Sequence, residues 1–364
     1  MNFDKPSLSR SRELPFCDVN EAASQVVVMD ELDLNPRILT ALCKAGLKTY
    51  EDVLNLSTAD IARSTKLTQS DSVTLKLAVS EKVYRQPKLT AMDIKNGNCP
   101  SMFSRKSLSL GCPILDEIFR GGILSQGITE VTGESAAGKT QLCLQLCLMA
   151  QLPLEDGGLN GGAVYVCTED VFPSKRLQQL IKSFPAQHKT ERTKQLALGE
   201  NIYVEHVAEK EQLEHCINHR IPILLERGLV KLLVVDSVAA LFRSEFELSE
   251  AFQRAKSLQK FGAQLHELAS RYNIPVVCVN QVTANMRALL PSDDPFIPAL
   301  GLTWSNQVQT RLMLKRLPYK LPPSSECNPS CEIPVRSMEV IFSPYLPKDT
   351  IYFVVEGDGI RGLR

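Results

Sequence analysis

The chain has 364 residues, 44% hydrophobic and 23% charged, which is enough to bury a substantial core and too many for one small module. Its 41 Lys and Arg balance 41 Asp and Glu, so no global positive field is available to hold nucleic acid, and such contacts have to be local or shared with a partner. The 11 cysteines are scattered from Cys17 to Cys331 without a dense framework, and no run approaches the roughly 18 uncharged apolar residues of a spanning helix. A reduced, intracellular setting is expected, without a membrane.

Residues 1–28 mix Ser, Pro and both charge signs without an apolar period, so a disordered tail is expected there. Met29 stands where structured sequence begins, and a start at Met1 or at Met29 is compatible with the pattern. A small all-helical domain is expected over 29–84. Its helices read as 36–45, stopped by Gly46, then 49–56, then one capped by Ser57 or Thr58, then 68–83. Two short helices joined by Ala45-Gly46-Leu47 resemble a helix-hairpin-helix unit, whose loop amides and helix N-termini suit a DNA phosphate; a packing module alone is the alternative. Pro87, Gly97 and Pro100 mark 85–105 as a linker and assembly segment.

From 106 to 364 strands and helices alternate. Apolar strand runs lie at 163–167, 202–205, 231–235 and 275–279, and Leu258, Phe261, Leu265, Leu268 and Tyr272 form one helical face. Continuous apolar strands between helices predict an α/β fold, a mostly parallel sheet covered on both faces. The runs 335–342 and 350–355 have no helix between them and read as an antiparallel finish. The Pro- and Ser-rich stretch 317–334 reads as a flexible insert.

Residues Gly133, Glu134, Ser135, Ala136, Ala137, Gly138, Lys139 and Thr140 form a complete Gly-x-x-x-x-Gly-Lys-Thr phosphate loop between a strand and a helix. The glycines let the backbone turn its N–H groups toward a triphosphate, and the helix adds its positive dipole end. Lys139 is expected on the β and γ phosphates of ATP and Thr140 on Mg²⁺. Leu232-Leu233-Val234-Val235-Asp236 puts a carboxylate at a strand's carboxyl edge, where it serves the Mg²⁺ shell or merely caps the next segment. Glu169-Asp170 closes another strand, so Glu169 is a candidate for polarising water, with a solvated strand end as the plainer reading. Asn280-Gln281 offers a neutral amide to sense the γ phosphate.

The order of helical domain, linker, phosphate loop, Thr-Glu-Asp-Val-Phe, Leu-Leu-Val-Val-Asp-Ser, Asn-Gln-Val and Ser-Pro-Tyr-Leu-Pro resembles the eukaryotic RecA-type strand-exchange family, from Met29 to the C-terminus. Within it, Asp33-Leu-Asn-Pro-Arg-Ile, Leu110-Gly-Cys-Pro-Ile-Leu-Asp and Thr168-Glu-Asp-Val-Phe-Pro-Ser-Lys-Arg-Leu are similar to one DNA-repair paralogue of that family. The resemblance implies a RecA-like ATPase core. It makes Glu169 the water-activating glutamate, Arg176 the arginine against the adenine, Gln281 the γ-phosphate sensor and Pro347 the proline laid over a neighbouring subunit's nucleotide. It further implies a mediator of homologous recombination repair of double-strand breaks and cross-links, with slow, DNA-stimulated hydrolysis. Partners would be single-stranded and branched DNA, a C-type recombinase paralogue in a hetero-oligomer, and the main strand-exchange recombinase. The location would be nuclear, with cytoplasmic and mitochondrial pools.

Several positions depart from the family pattern. Phe342 replaces an aspartate before Ser-Pro, and Lys88-Leu89-Thr90-Ala91 replaces the Phe-x-x-Ala that links subunits. The first DNA loop, from Arg243, carries three glutamates, and the second, 283–300, carries Asp293-Asp294-Pro295 in place of lysines. Acidic side chains oppose phosphate binding, so Arg243 and Arg287 remain as candidate DNA contacts. These departures favour a mediator over the rival, an autonomous ATPase that forms its own filament. A pure adaptor with a vestigial nucleotide site is a third reading. His215 and His219, and Cys327 and Cys331, lack the further ligand pair that zinc requires.

Overall fold

The computed structural model describes residues 32, 34–83, 89–99, 106–187, 197–244, 250–285, 295–322 and 332–364, and of 185–187 and 243–244 it describes only the backbone. The tail 1–28 lies outside these residues, as do Lys88, Arg287, Cys327, Cys331, most of the first candidate DNA loop (245–249) and the middle of the second (286–294). Two compact units divide the chain between Thr90 and Ala91.

The first unit is helical. Helix α1 (Pro36–Ala45) starts with Asn35, whose side chain accepts from the Arg37 N–H, and stops at Gly46, whose φ of 74° closes a left-handed cap. Helix α2 (Tyr50–Leu54) begins with a reciprocal capping box between Thr49 and Asp52. Ser57 caps α3 (Thr58–Thr65), and the Thr68 hydroxyl accepts from the Asp71 N–H at the head of α4 (Gln69–Val83). Each such cap is worth about 1 kcal/mol. Leu42, Val53, Ile61, Leu75 and Val79 form the centre of the unit's core.

The second unit opens with α5 (Ala91–Lys95), then β1 (Ser107–Leu108), α6 (Pro113–Ile118) and β2 (Ile123–Leu124). Its core elements follow: β3 (Ile128–Gly133), α7 (Lys139–Met149), β4 (Gly162–Cys167), α8 (Ser174–Gln187), β5 (Ile202–His206), β6 (Val230–Asp236) and β7 (Val276–Asn280). A small hairpin, β8 (Val282–Ala284) with β9 (Phe296–Pro298), precedes β10 (Thr310–Leu321), β11 (Ile333–Phe342), β12 (Thr350–Glu356) and β13 (Gly359–Leu363). One nine-stranded sheet runs β13-β12-β11-β10-β3-β7-β6-β4-β5, parallel from β10 to β5 and antiparallel from β10 to β13. Alternate residues of one strand enter opposite cores: Ala163, Tyr165 and Cys167 pack with α7, while Val164 and Val166 pack with the long helix Ala251–Tyr272. Leu258, Phe261, Leu265 and Leu268 of that helix are buried, and Tyr272 is half-buried with its hydroxyl donating to Glu226.

Both ends of the stretch 317–334, expected as a loop insert, are strand, and its middle, 323–331, lies outside the described residues. Strand β10 continues to Leu321 and β11 begins at Ile333, with Lys320 opposite Pro334 and Leu321 opposite Ile333. Pro318 sits in the register shift between Arg316 and Lys320, where a missing N–H breaks no ladder bond. The first half of β10 escaped the sequence reading too, and it forms the sheet's central seam with β3, from Thr310 opposite Thr129 to Leu314 opposite Gly133.

At this seam lies Glu130, fully buried. Its Oε1 accepts from Asn280 Nδ2 at 2.7 Å and Trp304 Nε1 at 2.8 Å, and its Oε2 from the Arg311 guanidinium, which also donates to Ser305 Oγ. A buried charge survives only when paired and hydrogen-bonded, and here β7, β10 and the helix Gly301–Ser305 all supply partners to the carboxylate on β3. Glu130→Ala leaves Arg311 buried and unpaired, so it is expected to lower unfolding stability by about 3–5 kcal/mol in urea titration monitored by circular dichroism.

Candidate functional site: a phosphate-loop cleft

The sheet order changes direction around β3. The strand before the phosphate loop lies between β10 and β7, while the next strand in sequence, β4, lies beyond β7 and β6. Such a switch point opens a crevice outside the carboxyl ends of parallel strands. A cleft of about 960 Å³ occupies it, floored by the phosphate loop and walled by the ends of β4, β6, β7 and β12.

The loop can follow its course only with the residues present. Gly133 has φ of 152°, and a Cβ there would lie 2.1 Å from the Leu314 carbonyl oxygen of β10. Gly138, with φ of 105°, is the last residue before α7. Lys139 folds over the loop, donating to the Gly133 and Glu134 carbonyls at 2.8 and 2.7 Å. Burial pulls its ammonium below the usual lysine range, opposed by the negative charges of Asp236 and Glu169.

Two carboxylates stand across from the loop. Asp236, at the end of β6, accepts through Oδ2 from Thr140 Oγ1 at 2.8 Å and from the Tyr165 hydroxyl at 2.5 Å. Burial, then the neighbouring Cys143 and Asp236, pushes the Tyr165 hydroxyl well above its usual range, which keeps it a protonated donor. Glu169, just past β4, accepts through Oε1 from Ser237 Oγ at 3.2 Å and from the Gln281 amide. Arg176, on α8, donates to Gln141 and Gln179 and to the Glu356 and Gly357 carbonyls, and stands at the cleft beside the β12–β13 turn.

Of the residues singled out from the sequence, Gly133, Ser135, Ala136, Gly138, Lys139, Thr140, Glu169, Arg176, Asp236 and Gln281 line this one cleft. Ala137 is instead buried beneath the loop, and Glu134 turns aside to an ion pair with Arg316. Asn280, considered together with Gln281, is buried and donates to Glu130, so the amide facing the cleft is that of Gln281. Pro347 is exposed on the connection between β11 and β12 and does not line the cleft of its own chain. Arg243 contributes only its backbone to the described residues, at the end of the helix Val238–Ser244.

Tyr165, Ser237 and Arg336 also line the cleft and escaped the sequence reading. Tyr165 lies one strand step inside a run of apolar residues and reads as core. Ser237 directly follows the candidate metal carboxylate, a position that could have signalled it. Arg336 belongs to β11, more than 190 residues from the loop whose Ala136 carbonyl it binds at 3.2 Å.

The donor set fits a nucleotide with a hard divalent cation. Backbone N–H groups at a helix N-terminus and a lysine suit phosphates, and a hydroxyl with one carboxylate suits Mg²⁺, which takes its other ligands from phosphates and water. Among the described residues no cluster of three or more His, Cys, Asp or Glu is placed to hold a metal on its own. His215 and His219 lie with ring centroids 5.0 Å apart and without a third ligand. No helix among the described residues is long and apolar enough to cross a membrane.

Comparison with known proteins covers nearly the whole chain. A family model described as Rad51 matches residues 105–362, and one described as XRCC3/RpoA-like, helix-hairpin-helix domain matches 29–83. The chain is 42% identical to the DNA repair protein XRCC3 of Bos taurus, across 92% of this chain and 98% of that one. It is 31% identical to the DNA repair protein rhp57 of Schizosaccharomyces pombe, across 91% and 98%, and 31% identical to the DNA repair protein RAD51 homolog 2 of Homo sapiens, across 79% and 80%.

The thiols behind the cleft yield a direct check. Burial pushes Cys143, Cys147 and Cys278 up, and Cys167 up to about 12, whereas Cys43 is exposed. At pH 8 a thiol shifted as Cys167 is would be thiolate in only about one molecule in ten thousand. Iodoacetamide is therefore expected to modify Cys43 in the folded protein and to spare Cys143, Cys147, Cys167 and Cys278 until denaturant is added, as read by peptide mass spectrometry.

Proposed function

Because this chain belongs to the Rad51 family, we propose that it is an ATP-binding recombinase paralogue that acts as a mediator in recombinational DNA repair, in a hetero-oligomer with a C-type paralogue of the same family. The observation that carries this reading is the convergence of Lys139, Thr140, Asp236, Glu169 and Gln281 on a single cleft, in a chain whose relatives are DNA repair proteins over nearly their whole length.

In this reading the loop amides and Lys139 hold the triphosphate, and Thr140 with Asp236 hold the Mg²⁺ shell. Held there, Mg²⁺ would supply charge neutralisation to the triphosphate. Glu169 takes a proton from the attacking water and is kept in place by Ser237 and Gln281. Gln281 serves as sensor because one amide donates to Glu169 while its own chain leads directly into β8, the root of the second candidate DNA loop. The Arg176 guanidinium, anchored beside Glu356 and Gly357, is placed for the base.

The hetero-oligomer follows from the departures in sequence. Phe342, standing where the family has an aspartate, is taken up inside the unit: the Arg311 guanidinium lies 5.0 Å from its ring centroid. It therefore offers no charge to a neighbour's nucleotide, and the Leu89-Thr90-Ala91 stretch offers no aromatic anchor to a second copy. A head-to-tail contact with a different paralogue supplies what a second copy lacks. The substrates are single strands and branched junctions, met mainly through the partner since the chain has no net positive charge. The working location is the nucleus, with cytoplasmic and mitochondrial pools.

Two measurements test this. Lys139→Ala is expected to weaken Mg-ATP binding about a hundredfold or more in equilibrium titration, since no other side chain of the loop supplies positive charge; unchanged affinity would overturn the nucleotide reading. Light scattering of the purified protein, alone and mixed with the C-type paralogue, is expected to give a monomer and a discrete heterodimer. Large ATP-dependent homo-assemblies would instead establish the rival, an autonomous filament-forming ATPase.

A further inference from the structure

Asp236 is held by two side chains from different elements, and both reach the same oxygen. Thr140 Oγ1, on the first turn of α7, and the Tyr165 hydroxyl, on β4, converge on Oδ2. The last torsion of an aspartate is broad, so a carboxylate at a strand end is otherwise free to rock and to exchange its oxygens. Donors from two directions on one oxygen remove that freedom.

The two donors are not equivalent. The Thr140 hydroxyl is itself a candidate cation ligand, so its position is tied to the occupant of the cleft. Tyr165 has no such second duty and is the more rigid. It is 1% exposed, and its ring meets Phe172 edge-on at 5.2 Å and 74°. Its backbone pairs with Val234 of β6 on one side and Val204 of β5 on the other. Two residues further along β4, Cys167 pairs with Asp236 itself, so the tyrosine and the aspartate ride on adjacent strands in fixed register. A phenylalanine would fill the same apolar space, and only the hydroxyl distinguishes tyrosine here.

We propose that Tyr165 is a positioning residue for the cation: its hydroxyl commits Oδ2 of Asp236 to the protein and thereby leaves Oδ1 for the cation's water shell. The proposal rests on the nucleotide reading of the cleft given above. Partners that orient a metal-site carboxylate from behind typically contribute a factor of about 10–100 to metal affinity. Their loss does not touch the contacts that a nucleotide makes without metal, and this separates a positioning role from a general loss of structure.

The test is a titration of the full chain with Mg²⁺ at fixed N-methylanthraniloyl-ATP, followed by fluorescence, for the wild type and Tyr165→Phe, with the fold of each verified by circular dichroism. The Mg²⁺ midpoint is expected to rise about tenfold or more in Tyr165→Phe, while affinity for the analogue in EDTA stays at the wild-type value. On an Asp236→Asn background the same change is expected to add nothing, because the carboxylate it orients is gone. Phe172→Leu, which loosens the ring without removing the hydroxyl, is expected to move the midpoint the same way by a smaller factor, and it carries the test if Tyr165→Phe does not fold. An unaltered midpoint, or equal losses with and without Mg²⁺, would overturn the role of Tyr165. Failure of the wild type to bind the analogue at all would overturn the nucleotide reading first, and the proposal with it.

Discussion

A single carboxylate without access to solvent organises the second unit. Glu130 lies three residues before the phosphate loop, and its partners come from the strand that ends in Asn280, from the helix carrying Trp304 and from β10 through Arg311. Burying one carboxylate costs several kcal/mol, which full pairing offsets only when every partner is in place. The carboxylate therefore selects one alignment of β3 between β7 and β10. That alignment brings Gly133 under the Leu314 carbonyl and sets the floor of the cleft. It also fixes both roots of the segment from Gln281 to Leu300, since Asn280 precedes it and Trp304 follows it.

The cleft built on this floor is a balanced electrostatic arrangement. Lys139, partly desolvated, faces Asp236 and Glu169, and each carboxylate engages its protein donors through one oxygen. A site left with uncommitted carboxylates would repel a triphosphate. Here Tyr165, Thr140, Ser237 and Gln281 spread part of that charge into hydrogen bonds, so that an anion and a hard cation can enter together. The donors come from β4, α7, the turn after β6 and the end of β7, so the balance depends on the sheet order and not on any one segment.

Some residues that depart from the family pattern have found structural employment. Phe342 lies under Arg311, the guanidinium that neutralises Glu130. An aromatic face there adds a cation–π contact on the apolar side of a buried charge, where an aspartate would compete with Glu130 for the same arginine. Glu134, the second residue of the phosphate loop, is likewise drawn away to Arg316 on the extended hairpin. The hairpin thus steadies the loop from outside, and the two ends of the stretch that reads as an insert belong to the sheet.

The local signals in the sequence sufficed for the phosphate loop, the helix cap at Ser57 and the glycine stop at Gly46, the buried face of the long helix, and the parallel strands ending in Cys167, Asp236 and Asn280. Each rests on chemistry within a few residues: a glycine where φ is positive, a side-chain oxygen before a helix, an apolar run before a carboxylate. For the same reason Lys139, Thr140, Asp236, Glu169 and Gln281 were nameable as site residues one at a time. What sequence could not decide was which of them share an oxygen, which neighbour orients them, and where Asn280 and Gln281 part company. Strand β10 was missed because its place in the sheet comes from pairing with β3, about 180 residues earlier. Tyr165, Arg336 and Glu130 stayed hidden for a related reason: each looks like ordinary strand sequence, and its role arises from a partner on another strand. The sequence by itself determined the loop, the elements and the chemistry available; only the tertiary structure decided the alignment of strands that turns those groups into one cleft, because hydrogen-bond partners and buried charges are satisfied across the sheet and not along the chain.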